Sequence, residues 1–124
     1  MPWSVKPYPE LGLIETVYSG RITDDDIKAS TMKAIAVSNE SGIGKFLSDL
    51  TDVETHDLST LKLYEQPEHW KGLRAKGKNR LALIVPDSKE IINAAAFYET
   101  VSRNRGWNVQ IFSERQEAID WLLS

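Results

Sequence analysis

There is no cysteine in this 124-residue chain, which excludes a disulfide framework, a thiolate metal site and a cysteine nucleophile. Positive charge is scarce as well: 15 lysines and arginines stand against 18 aspartates and glutamates, leaving a net charge of −3. A nucleic-acid binder needs a basic face to neutralise phosphates, so no nucleic-acid partner is expected. Wholesale attraction to an anionic membrane is disfavoured for the same reason. No apolar run approaches the roughly 18 residues of a membrane-spanning helix. The opening Met1-Pro2-Trp3-Ser4-Val5-Lys6-Pro7 lacks the charged-then-apolar layout of a secretion signal, so the expectation is a soluble cytoplasmic protein. Histidine is limited to His56 and His69, each without an evident nucleophile, and no catalytic residue is assigned.

What is present is ordinary globular material. Hydrophobic residues make up 41% of a chain close to the modal domain length, enough for one core, so residues 1–124 are expected to form a single domain. Residues 3–8 alternate apolar and polar as a strand does, with Pro7 limiting it to a sheet edge, and residues 11–18 read as its antiparallel partner. Thr23 followed by Asp24, Asp25 and Asp26 is a helix start, because these groups satisfy free N–H groups and oppose the helix dipole. Ile27, Met32, Ile35 and Ala36 mark the expected buried stripe, and Gly42 the end.

Residues 43–50 read as a third strand and 51–57 as an acidic loop. A helical period restarts at Leu58, Leu61 and Tyr64, and Pro67 breaks it and begins a second short helix to Ala75. Arg80-Leu81-Ala82-Leu83-Ile84-Val85 is apolar on both faces, which suits a central strand covered on both sides. A helix follows, capped by Asp87 or Ser88 with Glu90 in capping-box position, and carrying Ile91, Ala94, Ala95, Tyr98 and Val101 on one face. Residues 107–112 alternate as a last strand. Ser113-Glu114-Arg115-Gln116 then reads as a capping box for a final helix with Ala118, Trp121 and Leu122 inside. The predicted order is β-β-α-β-α-β-α-β-α, an α/β fold.

Four stretches of this sequence resemble the SpoIIAA-like group of the STAS superfamily, the fold of bacterial anti-sigma-factor antagonists. They are Gly20 to Ile27, Phe46 to Val53, the strand before Pro86, and Val109 to Leu122. The resemblance implies a mixed four- to five-stranded sheet with helices packed on it, and a binding or regulatory role rather than catalysis. Antagonists of that group carry an Asp-Ser-Ser-Gly-like motif whose serine is phosphorylated at a helix start. Asp57 and Ser59 align with that motif, whereas Leu58 and Thr60 replace its first serine and its glycine. Some relatives also resemble lipid-binding CRAL-TRIO domains, which implies a pocket for an apolar ligand.

Several residues carry candidate chemistry, each beside a plainer reading. Ser59, near a helix start, is either a phosphorylation site or a capping serine. Asp49, Asp52, Glu54, His56 and Asp57 contain metal-ligating types, but their spacing matches no metal loop; a solvated acidic loop is expected, with no metal and no cofactor. Gly42-Ile43-Gly44-Lys45 fails as a phosphate loop because Asn39 and Phe46 stand where glycine and a hydroxyl residue are required. Arg74, Lys76, Lys78 and Arg80 form a basic patch, open to a phosphorylated ligand or lipid headgroup but also readable as a solvated loop. Trp107 and Trp121 suit core packing, whereas Trp3 and Trp70 lie in less regular segments and read as surface aromatics.

The expected function is a non-enzymatic regulatory or protein-interaction module working through helix surfaces near residues 51–75, with a homodimer as one possible assembly. The alternative is a carrier or sensor of a small apolar, lipid-like ligand. In that reading Leu58, Leu61, Tyr64, Trp70 and Leu73 face the ligand, and Gly72 and Gly77 permit hinge motion of the cover.

Overall fold

The computed structural model describes residues 2–74 and 79–124. Its elements are β1 (Trp3–Tyr8), β2 (Leu13–Thr23), α1 (Asp24–Ser41), β3 (Lys45–Asp57), α2 (Thr60–Glu65), a 3-10 segment (Gln66–Gly72), β4 (Arg80–Ile84), α3 (Lys89–Asn104), β5 (Val109–Phe112) and α4 (Arg115–Leu123). They build an α/β structure on one five-stranded sheet of order β1-β2-β3-β4-β5. The β1–β2 pair is antiparallel and the others are parallel.

Strands stand in the sheet in the order in which the chain makes them, so every crossover steps the same way. Right-handed crossovers that all step one way lay their helices on one face. α1, the α2–3-10 unit and α3 accordingly pack Ile35, Leu63, Trp70, Ile91 and Tyr98 against Ile14, Phe46, Leu81 and Leu83 of the sheet. α4 follows the last strand and covers the opposite face, where Ala118 and Leu122 meet Leu13, Leu47, Ala82 and Ile84. This is why β4 is apolar on both sides. Lys45 Nζ donates to the Leu122 carbonyl at 2.7 Å and Arg80 to the Trp121 carbonyl, so two cations hold the C-terminal end of α4. At its other end Arg115 lies 2.5 Å from the buried carboxylate of Glu15 and 3.3 Å from Asp49. The Glu15 carboxylate beside it holds the guanidinium more firmly protonated still.

α1 begins as its sequence predicts. The Thr23 hydroxyl accepts from the Asp26 N–H at 3.3 Å, the Asp26 carboxylate accepts from the Thr23 N–H at 2.9 Å, and Gly42 ends the helix at φ 79°. Thr23→Ala is expected to cost about 1 kcal/mol, and Gly42→Ala a similar ~1 kcal/mol from left-handed backbone strain. Urea midpoints test both, with exposed Met32→Ala as the control; a Thr23→Ala midpoint equal to that of wild type would show that the box contributes nothing.

Four expectations are corrected. The inner stripe of α1 is Ser30, Thr31, Ala34, Ile35 and Ser38, whereas Met32 and Ala36 face solvent. Small side chains let this helix lie close to the sheet, and the Ile27–Ser30–Ala34–Ser38 row keeps the helical period that Met32 breaks. Residues 51–57 are strand, not loop, because β2 itself continues through Gly20 to Thr23 and pairs with them across two register shifts. Glu90 makes no capping box; Ser88 caps α3, and Glu90 turns instead to Thr55 and His56. α4 starts at Arg115 without a side-chain cap bond.

Candidate functional site

The pairing of β3 with β4 stops at Asp49–Ile84, while β2 and β3 run on together to Thr23–Asp57. This two-stranded overhang passes beneath the start of α1 and leads into α2. α2 is only six residues long, too short to fill the space between α1 and α3. The result is an apolar cavity of about 70 Å³, opening to about 610 Å³ when its mouth is included. Its floor is sheet (Tyr18, Ile22, Ser48, Leu50, Leu81 and Leu83), and its walls come from Ile27 and Thr31 of α1 and Ile91, Ala94, Ala95 and Tyr98 of α3. Leu58, Leu63 and Trp70 form the cover, with His56 in the lining beside Leu58.

Among the described residues the lining carries no lysine, arginine or carboxylate. Tyr18 and Ser30 share a hydrogen bond of 2.6 Å, and the Trp70 indole N–H donates to the Tyr98 hydroxyl at 2.8 Å. Burial pushes the Tyr98 phenol up to about 12 and raises Tyr18 as well, so both are neutral at ordinary pH. His56 Nδ1 accepts from the Leu58 N–H at 3.1 Å, which leaves Nε2 facing Glu90 at 3.7 Å.

Of the five residues expected to face a ligand, Leu58 and Trp70 line this cavity. Leu61 and Tyr64 do not: they are 64% and 53% exposed, on the outer side of α2. The buried row is Leu63, Pro67 and Trp70, a different phase from the one read at Leu58, Leu61 and Tyr64. Arg105 stacks over the Tyr64 ring at 4.4 Å from its centroid. Leu73 lines a second, smaller pocket with Phe46, Trp70 and Trp107. Trp70 is buried, not a surface aromatic, and its ring meets Phe46 edge-on at 4.9 Å between centroids.

Ser59 caps α2, its hydroxyl accepting from the Lys62 N–H at 3.1 Å, while its own N–H donates to the Asp24 carboxylate. The acidic residues of 49–57 are scattered by the pleat: Asp49 meets Arg115, Asp57 meets Arg21, and His56 meets Glu90. Among the described residues no group of three or more metal-ligating side chains comes together. In the basic patch Arg80 is spent on α4, Arg74 donates its N–H to Asn39, and Lys76, Lys78 and the hinge glycine Gly77 lie outside the described residues. Leu63, Thr31 and Tyr18 escaped the sequence reading as lining residues, and Tyr98 entered it only as part of the inner face of its helix. Of the three that escaped, Leu63 is the only one with a signal there, through its spacing to Pro67 and Trp70.

The described residues thus form a mixed α/β sheet with sequential strand order, three crossover units on one face and a lone helix on the other. The chain belongs to the SpoIIAA-like family, whose model matches residues 13–123. An uncharacterized protein with a SpoIIAA-like fold from Shewanella loihica is similar in structure, with a TM-score of 0.59, 18% identity, and coverage of 97% of this chain and 91% of that one. The anti-sigma factor antagonist SpoIIAA in its unphosphorylated form has the same TM-score of 0.59 at 13% identity, over 97% of this chain and 96% of that one. At such identities the likeness is one of fold. A comparison with curated proteins finds no match. No helix among the described residues is long and apolar enough to cross a membrane.

Proposed function

We propose that this chain is a non-enzymatic regulatory module that acts by binding another protein through the outer face of α2. The observation that carries this reading is the pair Leu61 and Tyr64, both more than half exposed on a six-residue helix. Apolar and aromatic side chains in such a position are what a partner buries at the centre of an interface. The fold shared with an anti-sigma factor antagonist supports the same reading. A second copy of the chain is one partner this face would fit, and the cytoplasm is the compartment proposed. A phosphate on Ser59 would repel the Asp24 carboxylate that its N–H now holds, and would loosen α2 from α1.

The cavity favours a second reading, a carrier or sensor of a small apolar ligand. The two are compatible, since α2 covers the cavity and also bears the exposed pair. Native mass spectrometry of the purified protein, repeated after denaturation, tests both. A dimer or a stoichiometric partner lost in Leu61→Asp supports the interaction reading. A non-covalent adduct that disappears on denaturation supports the carrier. A bare monomer, unchanged by Leu61→Asp and without cargo, counts against both.

A further inference from the structure

Two hydroxyls of the cavity lining bond to no described residue. Thr31 on α1 is 6% exposed and lines the cavity, yet its hydroxyl makes no hydrogen bond with any described residue. Ser30, its neighbour, bonds back to the Ile27 carbonyl at 3.0 Å in the way helical serines and threonines usually do; Thr31 does not. Ser48, half-buried on β3 between the strands that carry Tyr18 and Leu83, is likewise without a hydrogen bond. The other polar side chains singled out above are engaged: Tyr18 with Ser30, Trp70 with Tyr98, and His56 with the Leu58 N–H. Among the described residues the polar atoms that are both sealed and without a hydrogen-bond partner belong to Glu15, Arg80, Ser102 and Arg105, so the Thr31 and Ser48 hydroxyls, which line the cavity, stay open to accept or donate to a molecule in it.

We infer that the cavity binds a small, uncharged molecule with an apolar body and one hydrogen-bonding group of alcohol, phenol or carbonyl type, and that Thr31 and Ser48 hold that group. This rests on the carrier reading and narrows it. Hydroxyls both donate and accept, so they suit a neutral head. A carboxylate is disfavoured because, among the described residues, no lysine or arginine lines the cavity. The 70 Å³ corresponds to roughly five to seven water-sized volumes, the scale of a single ring or a short chain.

Phenol, toluene and benzoate are the probes, titrated at neutral pH while the Trp70 indole N–H signal is followed by NMR. A purely apolar cavity prefers toluene, which has less affinity for water than phenol. Here phenol is expected to bind at least as tightly as toluene, and benzoate more weakly than either. In Thr31→Val/Ser48→Ala the phenol-to-toluene affinity ratio should fall roughly tenfold. The single variants give the same reading if the double variant does not fold. Toluene preferred by wild type, with the ratio unchanged in the variants, would overturn the inference while leaving the cavity a binding site. Failure of phenol and toluene alike at millimolar concentration would remove the carrier reading and this inference with it.

Discussion

Trp70→Ala is expected to lower stability by about 3–5 kcal/mol, the usual range for removing a buried indole. The side chain is almost fully enclosed, meets Phe46 edge-on, and closes the cavity from the side of the cover. Truncation would join that cavity to the second pocket, which Trp70 also lines, so collapse could not refill the space. It would also leave the Tyr98 hydroxyl without its 2.8 Å donor. Trp70→Phe separates the two effects. It keeps most of the packing and loses the hydrogen bond, for a smaller cost of about 1–2 kcal/mol. Urea denaturation of wild type and both variants measures the series. A Trp70→Ala loss below about 1 kcal/mol would mean that the indole is not part of the packed cover.

Alkaline solution should unfold this protein through two buried phenols. Burial raises Tyr18 and Tyr98, the latter to about 12, because the phenolate form loses its water. A raised folded-state value means that the stabilising contribution is complete below the unfolded value near 10 and is lost as pH climbs through the folded one. Each phenol removes about 1.4 kcal/mol per pH unit over that window. By pH 12 Tyr98 alone removes about 2 kcal/mol and Tyr18 adds to the loss, a large share of the stability of a small domain. Urea midpoints at pH 7, 9, 10 and 11 should stay flat to 10 and then fall. Tyr98→Phe should roughly halve the slope above pH 10. A wild-type midpoint constant to pH 11 would contradict the burial of these groups.

Much of the frame was legible from local chemistry. Thr23 with three aspartates, Gly42, and the apolar run before Pro86 each state a backbone preference that the tertiary structure keeps. The α1 stripe was misread because Met32 is a large apolar residue, while the close approach of helix to sheet selects Ser30, Ala34 and Ser38 by size. Residues 51–57 looked like loop because Asp52, Glu54 and Asp57 are charged. In an overhanging ribbon each strand has a solvent face, and the inward Val53 alone was too weak a signal. The cavity itself has no residue that announces it. It arises from the shortness of α2 beside longer neighbours, and the unpaired state of Thr31 is a property of geometry, not of type.

Sequential strand order also sets a timetable for synthesis. Each parallel pair is joined by a local crossover, so β2, β3, β4 and β5 can add to the sheet one after another as the chain emerges. The face of Leu13, Leu47, Ala82 and Ile84 has no such provision, since among the described residues its only covering helix is α4. Until Ala118 and Leu122 arrive, and Lys45 and Arg80 find the carbonyls of that helix, the nascent protein carries a naked oily sheet surface. That interval is when a chaperone has most to do.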